Sequence, residues 1–157
     1  MKNSVYIETS IVSYLTARPS NDIRSVSQQN ITSEWWGSRR NKFDLFISEF
    51  VIVEASRGDK NAAAKRLAVI ESIAELEVLD TTAKLARSLL SQGSLPEKAE
   101  VDAFHVAVAA THGVEFLLTW NCKHIANAIM RPKIEQVCRE RGFEPPIICT
   151  PTELLEG

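Results

Sequence analysis

From Glu100 to Asn121 the chain reads EVDAFHVAVAATHGVEFLLTWN, an apolar helix halted at Gly113 and followed at once by a short apolar strand. A helix that is hydrophobic on nearly every side has to be covered on every side, so the rest of the chain is organised around this stretch. Val101, Phe104, Val106, Ala107, Val108, Ala109 and Ala110 supply the apolar surface, and Glu115-Phe116-Leu117-Leu118 leads as a buried strand into Thr119-Trp120-Asn121. At about 100° per residue, Asp102 shares a side with His105, Val106 and Ala109, whereas Glu100 lies opposite with Ala103 and Ala107. One carboxylate therefore faces inward. An ionised group there is costly unless it is paired, hydrogen-bonded or bound to a metal.

The flanking sequence alternates strands with helices. Asn3 to Ile7 reads as a strand buried on both faces, Glu8 ends it, and Thr9-Ser10 are natural N-cap residues for a helix through Leu15. A mostly polar helix from Ile23 to about Arg40 carries Trp35-Trp36 near its end, then Arg39-Arg40-x-Lys42. Phe43 to Ile47 is the second strand, and Ser48 caps a helix beginning Phe50-Val51-Ile52-Val53. Within that helix Glu54 lies i+4 from Phe50 and i+3 from Val51, which makes it a second inward carboxylate. Helices over Ala62–Ile73 and Ala83–Leu90 flank a strand at Leu76–Leu79, and a helix from Pro132 to Arg141 precedes a last strand at Ile147–Cys149. Short connections between alternating strands and helices argue for an α/β fold built on a parallel, doubly wound sheet.

At 157 residues the expectation is a single domain, residues 1–157, large enough to bury roughly 70% of its unfolded surface. A formal charge of −2 excludes a broadly basic nucleic-acid coat, so any such contact must use local patches. The three cysteines are odd in number and lack C-x-x-C spacing, which argues against a disulfide framework, and Cys122-x-His124 has no second ligand pair for zinc. No apolar run approaches the roughly 20 residues of a membrane span and no signal peptide is evident, so a cytoplasmic protein with no membrane partner is expected.

The motifs most typical of doubly wound folds are missing: neither G-x-G-x-x-G nor G-x-x-x-x-G-K-[ST] is present. Acid remains instead. In such sheets, sites lie beyond the carboxyl ends of the strands where the strand order reverses, and Glu8 and Asn121 each end a candidate strand. If those strands are neighbours, Glu8, Glu54, Asp102 and the amide oxygen of Asn121 can converge. Crowded carboxylates repel unless a divalent cation neutralises them, and oxygen-only ligands suit Mg²⁺ or Mn²⁺ in phosphodiester hydrolysis. The plainer reading stays open for each: Glu8 as a strand-end acid, Glu54 as a surface acid, Asp102 as a buried Asp satisfied by Thr9, Ser10 or backbone amides. His105 reads as a packed, hydrogen-bonded histidine, and Trp35-Trp36 as packing residues.

Four stretches carry a resemblance: Y-I-E-T-S (Tyr6 to Ser10), I-S-E-F-V-I-V-E (Ile47 to Glu54), D-A-F-H-V-A-V-A (Asp102 to Ala109) and L-L-T-W-N (Leu117 to Asn121). In this order and spacing they resemble the PIN-domain family, the fold of VapC-type toxin ribonucleases, over essentially the full length. The resemblance implies a three-layer fold with a central parallel sheet flanked by helices. It implies a catalytic, metal-holding set of Glu8, Glu54, Asp102 and Asn121, with Thr9, Ser10 and Thr119 beside it, Mg²⁺ or Mn²⁺ as cofactor and RNA as substrate. Glu8 stands where most of the family has Asp, and Asn121 where most has a fourth acid, so a second metal ion is expected to bind weakly. The stretch Arg18 to Lys42 is longer than in compact relatives. The expected function is a metal-dependent endoribonuclease, the toxin of a type II toxin–antitoxin pair, with an antitoxin and a second copy in a homodimer as protein partners. The alternatives are a catalytically weakened RNA- or protein-binding module and an adaptor using the Trp35-Trp36 helix.

Overall fold

The computed structural model describes residues Met1–Gly157. Five parallel strands form one sheet: β1 (Asn3–Ile7), β2 (Phe43–Ser48), β3 (Ala74–Leu76), β4 (Phe116–Leu118) and β5 (Ile147–Cys149), in the order β3-β2-β1-β4-β5. Seven helices connect and cover them: α1 (Thr9–Thr16), α2 (Ile23–Ser38), α3 (Glu49–Ala55), α4 (Lys60–Ile70), α5 (Asp80–Ser91), α6 (Glu100–Thr111) and α7 (Arg131–Glu140). No helix is long and apolar enough to cross a membrane.

The strand at the centre is the one with the most continuous apolar run. Val5, Tyr6 and Ile7 in β1 are fully buried, and since successive side chains point to opposite faces, both faces of the sheet are covered there. β1 pairs with β2 on one side, Val5 opposite Leu45, and with β4 on the other, Val5 opposite Phe116. From β1 the chain winds outward through β2 and β3, then crosses back to β4 and β5. The strand order therefore reverses between β1 and β4, and a crevice opens beyond their carboxyl ends. α6 has no exposed apolar face: Ala103 and His105 through Ala110 are all buried, as its all-round hydrophobicity requires. Trp35 is fully buried and stacks on Phe43 at 5.8 Å, and Arg40 places its guanidinium 5.0 Å from the centre of the Trp36 ring.

Three local expectations are corrected. The third strand spans Ala74–Leu76, because its pairing with Phe46–Ser48 runs out at Leu76 and Leu79 turns to precede α5. The helix before it ends at Ile70 and the one after it begins at Asp80. The N-cap of α1 is Glu8, in extended backbone at φ −77° and ψ 152°, whose carboxylate accepts the Ser10 N–H; Thr9 and Ser10 already lie within the helix.

Candidate active site

Glu8 leaves the end of β1 with its backbone N–H on the Leu118 carbonyl of β4 (3.1 Å), so the strand pairing itself places it at the crevice. Glu8 is 4% exposed, and its side chain is held by donors from α1 and from the end of β4. Oε2 accepts the Ser10 N–H at 3.0 Å, and Oε1 accepts hydroxyl bonds from Ser10 and from Thr119, the latter at 2.5 Å. A carboxylate at a helix N-terminus also benefits from the unpaired amides there. The two hydroxyls are fixed in turn: Ser10 Oγ accepts the Trp120 N–H at 2.8 Å, and Thr119 Oγ1 accepts the Asn121 N–H at 2.9 Å. Ser10 and Thr119 thus tie β1 to the end of β4.

Glu54 comes from α3, with its side chain 25% exposed. Its Oε1 accepts two bonds of 2.6 Å, one from Thr9 Oγ1 and one from His105 Nε2. Burial pushes the Glu54 pKa up. The His105 hydrogen bond and charge, the Thr9 hydrogen bond and the Arg57 charge outweigh it, and the net shift is downward. His105 is fully buried, and its other ring nitrogen meets the Tyr6 hydroxyl at 2.7 Å; Tyr6 in turn meets Ser48 Oγ at 2.6 Å. Burial drives the Tyr6 hydroxyl far above its ordinary pKa; the Ser48 bond opposes this, and the Glu8 and Glu54 charges add to it. One ligand-type atom each from Glu8, Glu54 and His105 lies within 4.8 Å of the other two.

Asp102 stands outside that group of three. Its Oδ2 pairs with His124 Nδ1 at 2.8 Å, both side chains being about one-sixth exposed at 17% and 16%. Asn121 is turned to the same histidine, its Oδ1 accepting the His124 backbone N–H at 3.1 Å and capping the turn after β4. Of the expected residues, Glu8 and Glu54 are therefore brought together with Thr9, Ser10 and Thr119 as their donors. Asp102 and Asn121 meet one another through His124. The partners missed from the sequence are His124 and Tyr6. His124 sits three residues beyond Asn121, at capping distance, but in the sequence it stands out only as a zinc partner for Cys122.

A family model for the PIN domain matches residues 5–123, and the chain belongs to that family. Its fold is shared with solved structures of low sequence identity. The VapC20 toxin of Mycobacterium tuberculosis, which cleaves the sarcin–ricin loop, matches at TM-score 0.60 with 19% identity, over 91% of this chain and 100% of that one. A chain of VapBC2 from Rickettsia felis, bound to a DNA fragment from its promoter, matches at 0.55 with 15% identity, over 93% and 97%. No curated protein sequence matches the chain.

Proposed function

We propose that this protein is a metal-dependent endoribonuclease and the toxin of a type II toxin–antitoxin pair. The observation that carries the reading is the state of the carboxylates at the β1–β4 reversal. Glu54 and Asp102 are each hydrogen-bonded through one oxygen, leaving Glu54 Oε2 and Asp102 Oδ1 without a protein partner. Glu8 Oε2 accepts only the Ser10 amide and keeps a lone pair. Both ring nitrogens of His105 are engaged, and the atoms that Glu8, Glu54 and Asp102 leave free are oxygens, donors that suit Mg²⁺ or Mn²⁺. Glu8, Glu54 and Asp102 would hold the ion, with Asn121 shaping the turn beside them. When bound, the ion supplies Lewis-acid activation of water and of a phosphodiester. The chain's own part is to fix these oxygens, and at Glu54 the bonds from His105 and Thr9 also help hold the carboxyl pKa down.

Membership of the PIN family supports a nuclease, and the neighbours' roles as an RNA-cleaving toxin and a promoter-bound toxin–antitoxin complex support RNA and an antitoxin as partners. The deciding experiment is RNA cleavage with Mg²⁺ or Mn²⁺, with and without chelator, for the natural chain and Asp102→Asn. Cleavage that stops with chelator and in the variant is expected. Cleavage by Asp102→Asn at the natural rate would overturn the site. Asn121 favours one other reading, since an amide brings no charge to the ion. RNA binding without cleavage under every metal condition would support a binding module instead.

A further inference from the structure

Beneath Glu54 runs a line of hydrogen bonds through the core. Ser48 at the end of β2, Tyr6 in β1 and His105 in α6 are each fully buried, and they are joined at 2.6 Å and 2.7 Å before His105 reaches Glu54 at 2.6 Å. The proton inventory gives this line a direction. An ionised carboxylate only accepts, so His105 Nε2 carries the hydrogen of the bond to Glu54. The ring's Nδ1 meets the Tyr6 hydroxyl, the Tyr6 oxygen meets Ser48 Oγ, and Ser48 Oγ takes the Phe50 N–H at 3.3 Å. The line ends in a donor aimed at Glu54. The surrounding cluster is apolar, and three buried polar groups are costly in such a place unless all are satisfied; once satisfied, they fix a single arrangement.

We propose that Ser48, Tyr6 and His105 form a positioning relay that, with Thr9, occupies Glu54 Oε1 and presents Oε2 to the divalent cation. His105 is then a positioning residue and not a ligand, and Glu54 binds through one oxygen. This rests on the metal-dependent reading above and assigns to each oxygen of Glu54 a separate task. Three strands or helices besides α3 contribute to it, so the orientation of one side chain is tied to the packing of the sheet.

Two substitutions separate positioning from packing. In His105→Gln the amide nitrogen falls near the position of Nε2, keeping a donor to Glu54 and releasing Tyr6. In His105→Asn the amide group falls near Nδ1, where its oxygen can accept the Tyr6 hydroxyl, keeping Tyr6 and releasing Glu54. Both remove a buried ring, so both should lower the melting temperature alike. Calorimetric titration of Mn²⁺ into metal-stripped protein should find the Asn variant weakened about tenfold or more, in the range of outer-shell changes at metal sites. The Gln variant should recover to within about threefold of the natural protein. Equal affinities in the two variants, whether weak or unaltered, overturn the relay. Nitrogen-15 spectra of His105 in the metal-free natural chain give an independent reading: a proton on Nε2 is expected, and a bare Nε2 overturns the proposal even where a variant fails to fold. A natural chain that binds no Mn²⁺ yet keeps the Nε2 proton removes the metal reading and leaves the hold on Glu54 standing.

Discussion

Thr119→Val should destabilise the protein through two hydrogen bonds, with almost no change in shape. Thr119 is fully buried, donates to Glu8 Oε1 and accepts the Asn121 N–H. A hydrogen bond to a charged acceptor contributes about 1.5–3 kcal/mol, and because Glu8 keeps both donors of Ser10 the lower part of that range applies. The half-buried Asn121 amide, left without its acceptor, adds about 1 kcal/mol. The total is about 2–3 kcal/mol, equivalent to about 5–10 °C in Tm for a chain of this size. Urea unfolding of metal-free protein at pH 7 measures it, with Thr119→Ser as the control. Serine keeps the hydroxyl and loses one methyl, so it should cost about 1 kcal/mol. A valine variant as stable as the natural chain, or more stable than the serine variant, would refute the claim that the hydroxyl joins β1 to β4.

Asn121→Asp should preserve the cap on His124, since a carboxylate accepts the same N–H. It adds a charge near Glu8 and Asp102, so the metal-free Tm should fall while stabilisation by Mn²⁺ grows; equal Mn²⁺ affinity in both proteins would put residue 121 outside the site. Burial holds the thiols of Cys138 and Cys149 up at about 12, whereas Cys122 is exposed. Iodoacetamide at pH 8 should therefore label one thiol per native chain, and a second rapid adduct would contradict the burial. Glu54 has a depressed pKa in the folded state, so its contribution is present above the unfolded value of about 4.3 and is lost as pH falls through that value toward the folded one. Urea midpoints from pH 7 to pH 3 should fall less steeply for Glu54→Gln than for the natural chain, and parallel curves would show that Glu54 makes no such contribution.

What could be read from the sequence depended on how local its cause was. β1 was legible because Val5, Tyr6 and Ile7 are consecutive, and only a strand covered on both faces needs that run. The Ser48 cap of α3 was legible because the bond to Phe50 N–H spans two residues. β3 was displaced because Leu76, Val78 and Leu79 look strand-like in isolation, while the strand's extent is set by its partner, β2. The α1 cap shifted because a glutamate bends back to Ser10, a role usually taken by shorter side chains. The inward phase of Asp102 followed from the helical period, but its partner lies beyond the helix stop, β4 and a turn. Tyr6 and His105 are 99 positions apart, and no local pattern pairs them.

The plainer reading of each acid makes a different demand on the structure from the metal-holding one. An acid buried only for structural reasons gains by satisfying both oxygens, because each desolvated lone pair left empty is a cost. In Glu54 and Asp102 one oxygen is pinned by protein donors, while the other has no protein partner and is open to solvent, where an arriving cation can meet it. Their donors arise from separate elements, Thr9 from α1, His105 from α6 and His124 from the turn after β4, so the asymmetry has no single local origin. Glu8 follows the pattern in part, with Oε1 taking two hydroxyls and Oε2 one amide. Side chains held through one oxygen are preorganised without being saturated, which is what the capture of a hard cation needs from a carboxylate.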